Sequence, residues 1–509
     1  MENVSITIHD PAVKQVLRLF DTTNNEGTII SSGDDYHFAK VDIKIADNIP
    51  LIMSDQFIHF TIDCSGSMDD ICNDKRTKLA HLKFTLKNML KWLVNNAVNV
   101  FITIDAFDSI IHHIVPFSKL TSDNIESIND AIQQIQADAL TNIELALKNA
   151  KERINSESIM NASLTINEIF LTDGEATQGE QSANKLTMLL DDNFNYTFVG
   201  FGDNHDDEML TALSAGNNGT YRFIDAIEKS SLVYGEILSG IFNLAFDKVT
   251  INVEGGEIYN YKTNSWSPTL YVGGLVAEEL RTFHLRSKTP DLIKAELYGL
   301  DIINAPLEQN KHLISINTTN YADINSYIFR QRVQELLYQS KIELREKPNS
   351  YRRYPLFDDI IDNINIIADN DNNNTNNNNN TINRSIKNAN NTNKKTIKKQ
   401  INDLLEQIKQ YMENNNMLDD KFLKLLCDDL YVAYKSYDYR YGRKYINARH
   451  NSQGAQQVYS ANLDLNERDN IFNTSSFRTS SAKDSPYKTP KKAKVMREVS
   501  SGTQAEDDI

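Results

Sequence analysis

The stretch Phe57-Ile58-His59-Phe60-Thr61-Ile62-Asp63-Cys64-Ser65-Gly66-Ser67-Met68 constrains the fold of this chain more than any other. Its apolar, β-branched and aromatic run reads as a strand buried on both faces, the habit of parallel sheets covered by helices. The run stops abruptly at one carboxylate and two hydroxyls, Asp63, Ser65 and Ser67. Open α/β sheets hold their ligands just outside the carboxyl ends of the strands. The three residues alternate, so an extended loop can bring their oxygens to one point. Oxygen donors of this kind suit a hard cation, Mg²⁺ first and Mn²⁺ or Ca²⁺ after it.

The rest of the chain supplies a sheet for such a strand. Strand and helix signals alternate from 51 to 246, beginning with Leu79, Leu82, Leu86, Leu90 and Leu93 at helical spacing. The expected fold class is therefore α/β, a doubly wound, mostly parallel, Rossmann-like sheet. From 247 to 320 strands follow one another without helices, and Val249-Thr250-Ile251-Asn252-Val253 alternates as half-wetted antiparallel strands do. An antiparallel, β-sandwich-like domain is expected there. Residues 1–50 hold two further alternating segments, Val4–Ile8 and Val41–Ile45, which are expected to complete that domain. A helical segment at 321–368 is followed by Asn-rich low complexity at 369–393, read as a disordered linker. A C-terminal helical region at 394–465 and a Ser/Lys/Thr-rich disordered tail at 466–509 end the chain.

Two more strand-end loops offer oxygens. Thr141 opens Thr141-Asn142-Ile143 at the start of a helix, and Asp173 ends Leu171-Thr172-Asp173-Gly174. Asp-x-Ser-x-Ser, Thr-Asn-Ile and Leu-Thr-Asp-Gly in this order resemble the metal-ion-dependent adhesion site (MIDAS) of von Willebrand factor type A (VWA, VWFA) domains. The resemblance covers roughly 51–246. It implies that Ser65, Ser67 and Thr141 bind the metal directly while Asp63 and Asp173 act through water. It also implies a coordination position completed by an Asp or Glu of a partner protein. Such domains often carry glycines before the threonine, where this chain has Ala137-Asp138-Ala139-Leu140. Gly273-Gly274-Leu275-Val276-Ala277-Glu278-Glu279-Leu280-Arg281 is similar to a segment after the VWA domain of plant RING-finger proteins, and inter-α-trypsin-inhibitor heavy chains share a related arrangement. The RING itself is absent, since three scattered cysteines cannot supply its zinc ligands.

Composition narrows the function. A net charge of −16 argues against general nucleic-acid binding, and no apolar run reaches the ~20 residues of a membrane span. Cys64, Cys72 and Cys427 form no CxxC pair, and the first residues show no leader, so a reduced cytoplasmic setting is expected. Cys64 is expected to pack inside, since a thiolate is a poor Mg²⁺ ligand. The adjacent His112 and His113 should face opposite ways. In the tail, Ser485-Pro486 and Thr489-Pro490 look like proline-directed kinase sites, and Pro490-Lys491-Lys492-Ala493-Lys494-Val495 resembles a basic nuclear-import signal. No phosphate-binding loop, dinucleotide motif, zincin or nucleophile elbow occurs, so no catalytic residue is assigned and no enzyme is expected. The reading is an intracellular module that captures an acidic side chain through a divalent cation. The alternative is an adaptor or scaffold of a ubiquitin-ligase or other complex in which the metal is only structural.

Overall fold

A computed structural model describes residues 3–17, 19, 22–23, 29–30, 36–47, 55–72, 75–96, 99–158, 164–202, 205–216, 219–225, 229–302, 311–316, 319–345, 379–439, 441–461 and 485–501. Two strands come first, β1 (Asn3–His9) and β2 (His37–Lys44). The α/β unit follows: β3 (Gln56–Asp63), α1 (Lys78–Asn96), β4 (Val100–Phe107), β5 (Ile111–Lys119), α2 (Ile125–Gln133), α3 (Ile143–Ser158), β6 (Thr165–Thr172), α4 (Ala183–Thr187), β7 (Asn195–Phe201), α5 (Asp207–Leu213), β8 (Gly219–Ile224) and α6 (Ser230–Phe242). Its sheet runs β8-β7-β6-β3-β4-β5, parallel throughout except for the edge strand β5. All eight residues of β3 are buried, as its central place requires. The edge strand instead mixes half-buried and exposed residues and carries Pro116, tolerated where one side of the ladder is unpaired. Leu79, Leu82, Leu86, Met89, Leu90 and Leu93 turn one face of α1 into the core shared with Ile58, Phe60 and Ile62.

Two antiparallel-rich sheets form the second unit. After β9 (Leu244–Glu254), β10 (Glu257–Asn260), β11 (Ser265–Ser267), β12 (Thr269–Val276), β13 (Leu280–Ser287), β14 (Lys294–Asp301), β15 (Lys311–Ile316) and β16 (Thr319–Ala322), the sheets run β11-β10-β13-β2-β1-β16 and β12-β9-β14-β15. They enclose a core that includes Ile6, Ile8, Val41, Ile43, Val249, Ile251, Leu275 and Leu297. Strands β1 and β2 thus sit inside a sheet whose other members follow the α/β unit, and the α/β unit is an insertion between strands of one sandwich.

Helices α7 (Asn325–Arg345), α8 (Asn379–Asn414), α9 (Lys421–Ser436) and α10 (Gly442–Ala455) share a further core built on Val333, Leu337, Leu405, Ile408, Leu426 and Leu430. Of the Asn-rich stretch 369–393, residues 369–378 lie outside the described residues, and α8 begins at Asn379. Among the described residues no helix is long and apolar enough to cross a membrane.

The tail needs a correction. Residues 466–484 and 502–509 lie outside the described residues, but Pro490–Ser500 is a helix, α11, docked on α6 and α1. Lys492, Val495, Met496, Val499 and Ser500 are buried, the i, i+3, i+4, i+7 stripe of an amphipathic helix. The approach is close: a Cβ on Gly235 would stand 2.5 Å from the Met496 Cα. Trp92 donates its indole N–H to Glu498 at 2.7 Å, and Lys492 Nζ reaches Glu279 at 2.5 Å. The composition of this segment suggested disorder because only three of its residues are large and apolar; all three are spent on one face.

Candidate metal centre

Asp63 is the last residue of β3, and the chain then turns through Ser65 into a short 3₁₀ turn, Gly66–Asp69. On one side β6, paired with β3, delivers Thr172 and Asp173 to the same level. On the other side the segment before α3 is laced to this loop, since Asp138 N donates to Cys64 O at 2.9 Å and Gly66 N to Ala139 O at 3.2 Å. Thr141 is held in turn by its N–H on Thr177 Oγ1 at 2.9 Å. The parallel sheet thereby collects residues 63, 65, 67, 141 and 173 at one edge.

Their oxygens converge. Ser65 Oγ lies 3.2 Å from Ser67 Oγ, and Ser67 Oγ donates to Asp173 Oδ1 at 2.7 Å. A Cβ on Gly174 would meet Thr141 Oγ1 at 3.4 Å and Ser67 Oγ at 3.7 Å, so both hydroxyls face the backbone that follows Asp173. Asp63 accepts from Ser65 N at 2.8 Å and from Thr172 Oγ1 at 2.6 Å. Both carboxylates are fully buried. Burial pushes the Asp63 carboxyl up to about 6, with Asp173 adding to the rise and the bonds from Thr172 and Ser65 opposing it. Two buried carboxylates beside three hydroxyls gather five side chains with oxygen donors at one point. This donor set fits a hard divalent ion.

Two residues of the site escaped sequence reasoning. Thr172 positions Asp63, as described, and lies within the Leu-Thr-Asp-Gly motif that drew attention only to its aspartate. Lys78, first residue of α1, donates to Asp173 Oδ2 at 2.6 Å and to Asp70 Oδ2 at 2.8 Å. Burial opposes its charge, but the bonds to Asp173 and Asp70 outweigh it and raise its pKa. Its distance of 95 residues from Asp173 left no local signal. Ala139, in the segment lacking glycines, has φ +59°, a left-handed conformation that glycine adopts without strain. Cys64 is buried in the core, and His112 and His113 engage different partners, Asp108 and Asp105.

The family model for the von Willebrand factor type A domain matches residues 58–233. Among solved structures, a von Willebrand factor type A protein from Catenulispora acidiphila is similar at 14% identity, with 67% of this chain and 80% of that one covered and a TM-score of 0.47. The ArnB paralog VWA2 from Sulfolobus acidocaldarius is similar at 12% identity, with 89% and 98% covered and a TM-score of 0.47. Proximal thread matrix protein 1 from the mussel byssus, solved with a zinc-occupied MIDAS motif, is similar at 19% identity over 37% and 49%, with a TM-score of 0.31. No curated protein matches. With its five-stranded parallel sheet, its antiparallel edge and the matching family model, the segment 58–233 of this chain is a von Willebrand factor type A domain.

Proposed function

We propose that this chain is an intracellular, metal-dependent protein-interaction module, not an enzyme. Asp63, Ser65, Ser67, Thr141 and Asp173 hold Mg²⁺, the three hydroxyls directly and the two carboxylates through water. When bound, the ion supplies a Lewis-acidic position for an Asp or Glu of the partner protein. With only two carboxylates to balance it, an incoming third is electrostatically favoured.

The observation that carries the reading is the setting of the site. Ile71, Ile110 and Leu140 are 74%, 58% and 54% exposed and all lie on loops at this end of the sheet. Leu140 precedes Thr141 and bonds through its N–H to Ser109, the neighbour of Ile110, at 3.2 Å. Large aliphatic side chains left in water beside a polar site are what a protein interface covers. A small-molecule or purely structural metal site needs no such rim.

The test is affinity capture from the native source with the full chain as bait, in Mg²⁺ or in EDTA. Partners should be retained in Mg²⁺, released by EDTA and lost with Ser67→Ala, whose half-buried hydroxyl can be removed without emptying the apolar core. Equal capture by wild type and Ser67→Ala in Mg²⁺, or capture by wild type that EDTA leaves unchanged, would overturn the mechanism.

A further inference from the structure

A second set of side chains with metal-ligating atoms stands beside the first and shares none of its residues. Cys64 N donates to Phe107 O at 2.9 Å, which sets Cys64 alongside the residue that follows β4, Asp108. The hairpin from β4 to β5 then folds His112 back over it, in register with Ala106. One ligand atom each from Cys64, Asp108 and His112 lie within 4.8 Å of one another. His112 Nε2 is 2.9 Å from Asp108 Oδ2, while Asp108 Oδ1 is held by the Ile110 N–H at 2.8 Å. His113, on the other face of β5, points to Asp105 and takes no part.

We propose that Cys64, Asp108 and His112 form a binding site for a borderline transition-metal ion, Zn²⁺ above all. Thiolate, imidazole and carboxylate are its usual donors, and three protein ligands leave one position for water or an incoming group. Ligand atoms of a tetrahedral zinc site stand roughly 3.3–3.7 Å apart, given Zn–S and Zn–N lengths of about 2.3 and 2.0–2.1 Å. His112 Nε2 and Asp108 Oδ2 are already closer than that, while the widest separation, at most 4.8 Å, has to close by about 1 Å. His112, with its side chain 40% exposed, has the freedom to do this, while Cys64 and Asp108 are fixed by the strand ends. Binding displaces the thiol proton to solvent, and the metal takes its place on Sγ.

The donor chemistry sorts two ions at one sheet edge. Mg²⁺ has no use for a thiol or an imidazole, whereas Zn²⁺ prefers both to hydroxyls. Because Cys64 lies between Asp63 and Ser65, an ion on its sulfur would fix the loop that carries the oxygen site. This assignment does not depend on the partner-binding reading above.

Cobalt is the probe. The full chain, stripped with chelator, is titrated with Co²⁺, and thiolate-to-cobalt charge transfer in the near ultraviolet reports coordination by sulfur. The band should appear in wild type and persist in Ser67→Ala, which disables only the oxygen site. Zn²⁺ should displace it. His112→Ala, a change at a partly exposed position, should weaken Co²⁺ binding at least about tenfold, and Cys64→Ser should abolish the band. If Cys64→Ser does not fold, His112→Ala decides alone. Absence of the band in wild type, or its persistence unchanged in His112→Ala, would overturn the proposal.

Discussion

His59, in the middle of β3, offers a stability test of how the site-bearing strand is held. Its ring is fully buried, with Nδ1 2.5 Å from Glu168 on β6 and Nε2 3.1 Å from Asp105 on β4. Burial alone would keep the imidazole neutral, but the two carboxylates, Glu168 first, outweigh it and raise its pKa to about 9. Asp105 is lowered to about 2: burial opposes its charge, and the bonds from His59, His113 and Asn149 overcome that opposition. An imidazolium with a pKa above its unfolded value of about 6.5 stabilises the fold fully below pH 6.5, and the contribution fades as pH rises through 9. At about 1.4 kcal/mol per pH unit, the loss across that window is about 3 kcal/mol. The comparison is His59→Gln/Glu168→Gln, which removes the ion pair without leaving a lone buried carboxylate on β6. Lys262 and Lys341, both lowered to about 8 by burial, give an opposite slope above pH 8, but they give it to both proteins. Urea unfolding from pH 6 to 10 should therefore show wild type losing about 3 kcal/mol relative to the double variant. Parallel profiles, or a ring-labelled His59 resonance that titrates near 6.5, would refute the reasoning.

Other perturbations address the site and the tail. Ala139→Gly relieves a left-handed alanine and should raise stability by about 1 kcal/mol, read as a higher melting temperature with metal affinity retained. Lys78→Met removes a tethered cation from Asp173; Mg²⁺ should then bind at least about tenfold tighter in calorimetry, and chelation should lower the melting temperature more than in wild type. Lys492→Ala leaves Glu279 and Glu236 buried without their ammonium and should cost about 3 kcal/mol, whereas Lys492→Met/Glu279→Leu should recover most of it in thermal unfolding. Met496→Asp should unseat α11, so that limited proteolysis cuts within 485–501 faster than in wild type.

What the sequence disclosed, and what it hid, follows from the range of each interaction. The buried run of β3 and the alternation around it are local patterns, so the parallel sheet was legible, as was the Asp-x-Ser-x-Ser loop that must end its central strand. Thr141 and Asp173 were legible only because their motifs occur in a fixed order along the chain. His59 looked like one more member of an apolar strand, because Asp105 and Glu168 become its neighbours only when β4 and β6 pair with β3. Lys78 and the grouping of Cys64, Asp108 and His112 were hidden for the same reason. Adjacent histidines on a strand do diverge, yet one of them folds back over the cysteine that follows β3. The strain at Ala139 was signalled by the missing glycines, although its sign of φ required the structure.

The tail shows how burial changes the meaning of a short motif. Pro490-Lys491-Lys492-Ala493-Lys494-Val495 reads as a basic import signal when the chain is taken as extended. In α11 its lysines have separate duties: Lys491 Nζ bonds the Asp47 carbonyl at 2.8 Å, Lys492 is buried on Glu279, and Lys494 remains 72% exposed on its side chain. A receptor reading consecutive lysines would meet one of the three. The kinase motifs are similarly engaged, since Thr489 caps α11 by accepting from Lys492 N and Ser485 is buried. Addition of a phosphate at Ser485 requires the segment to leave its seat, which would expose Val495, Met496 and Val499 and break the bonds to Trp92 and Glu279. Modification and docking of the tail are therefore mutually exclusive at Ser485. At Thr489, a half-buried helix cap, a phosphate would meet the favourable end of the helix dipole together with the Glu278 carboxylate that accepts from Lys491 N. The two motifs lie four residues apart, yet the same chemical change releases the tail at one and competes with a resident carboxylate at the other.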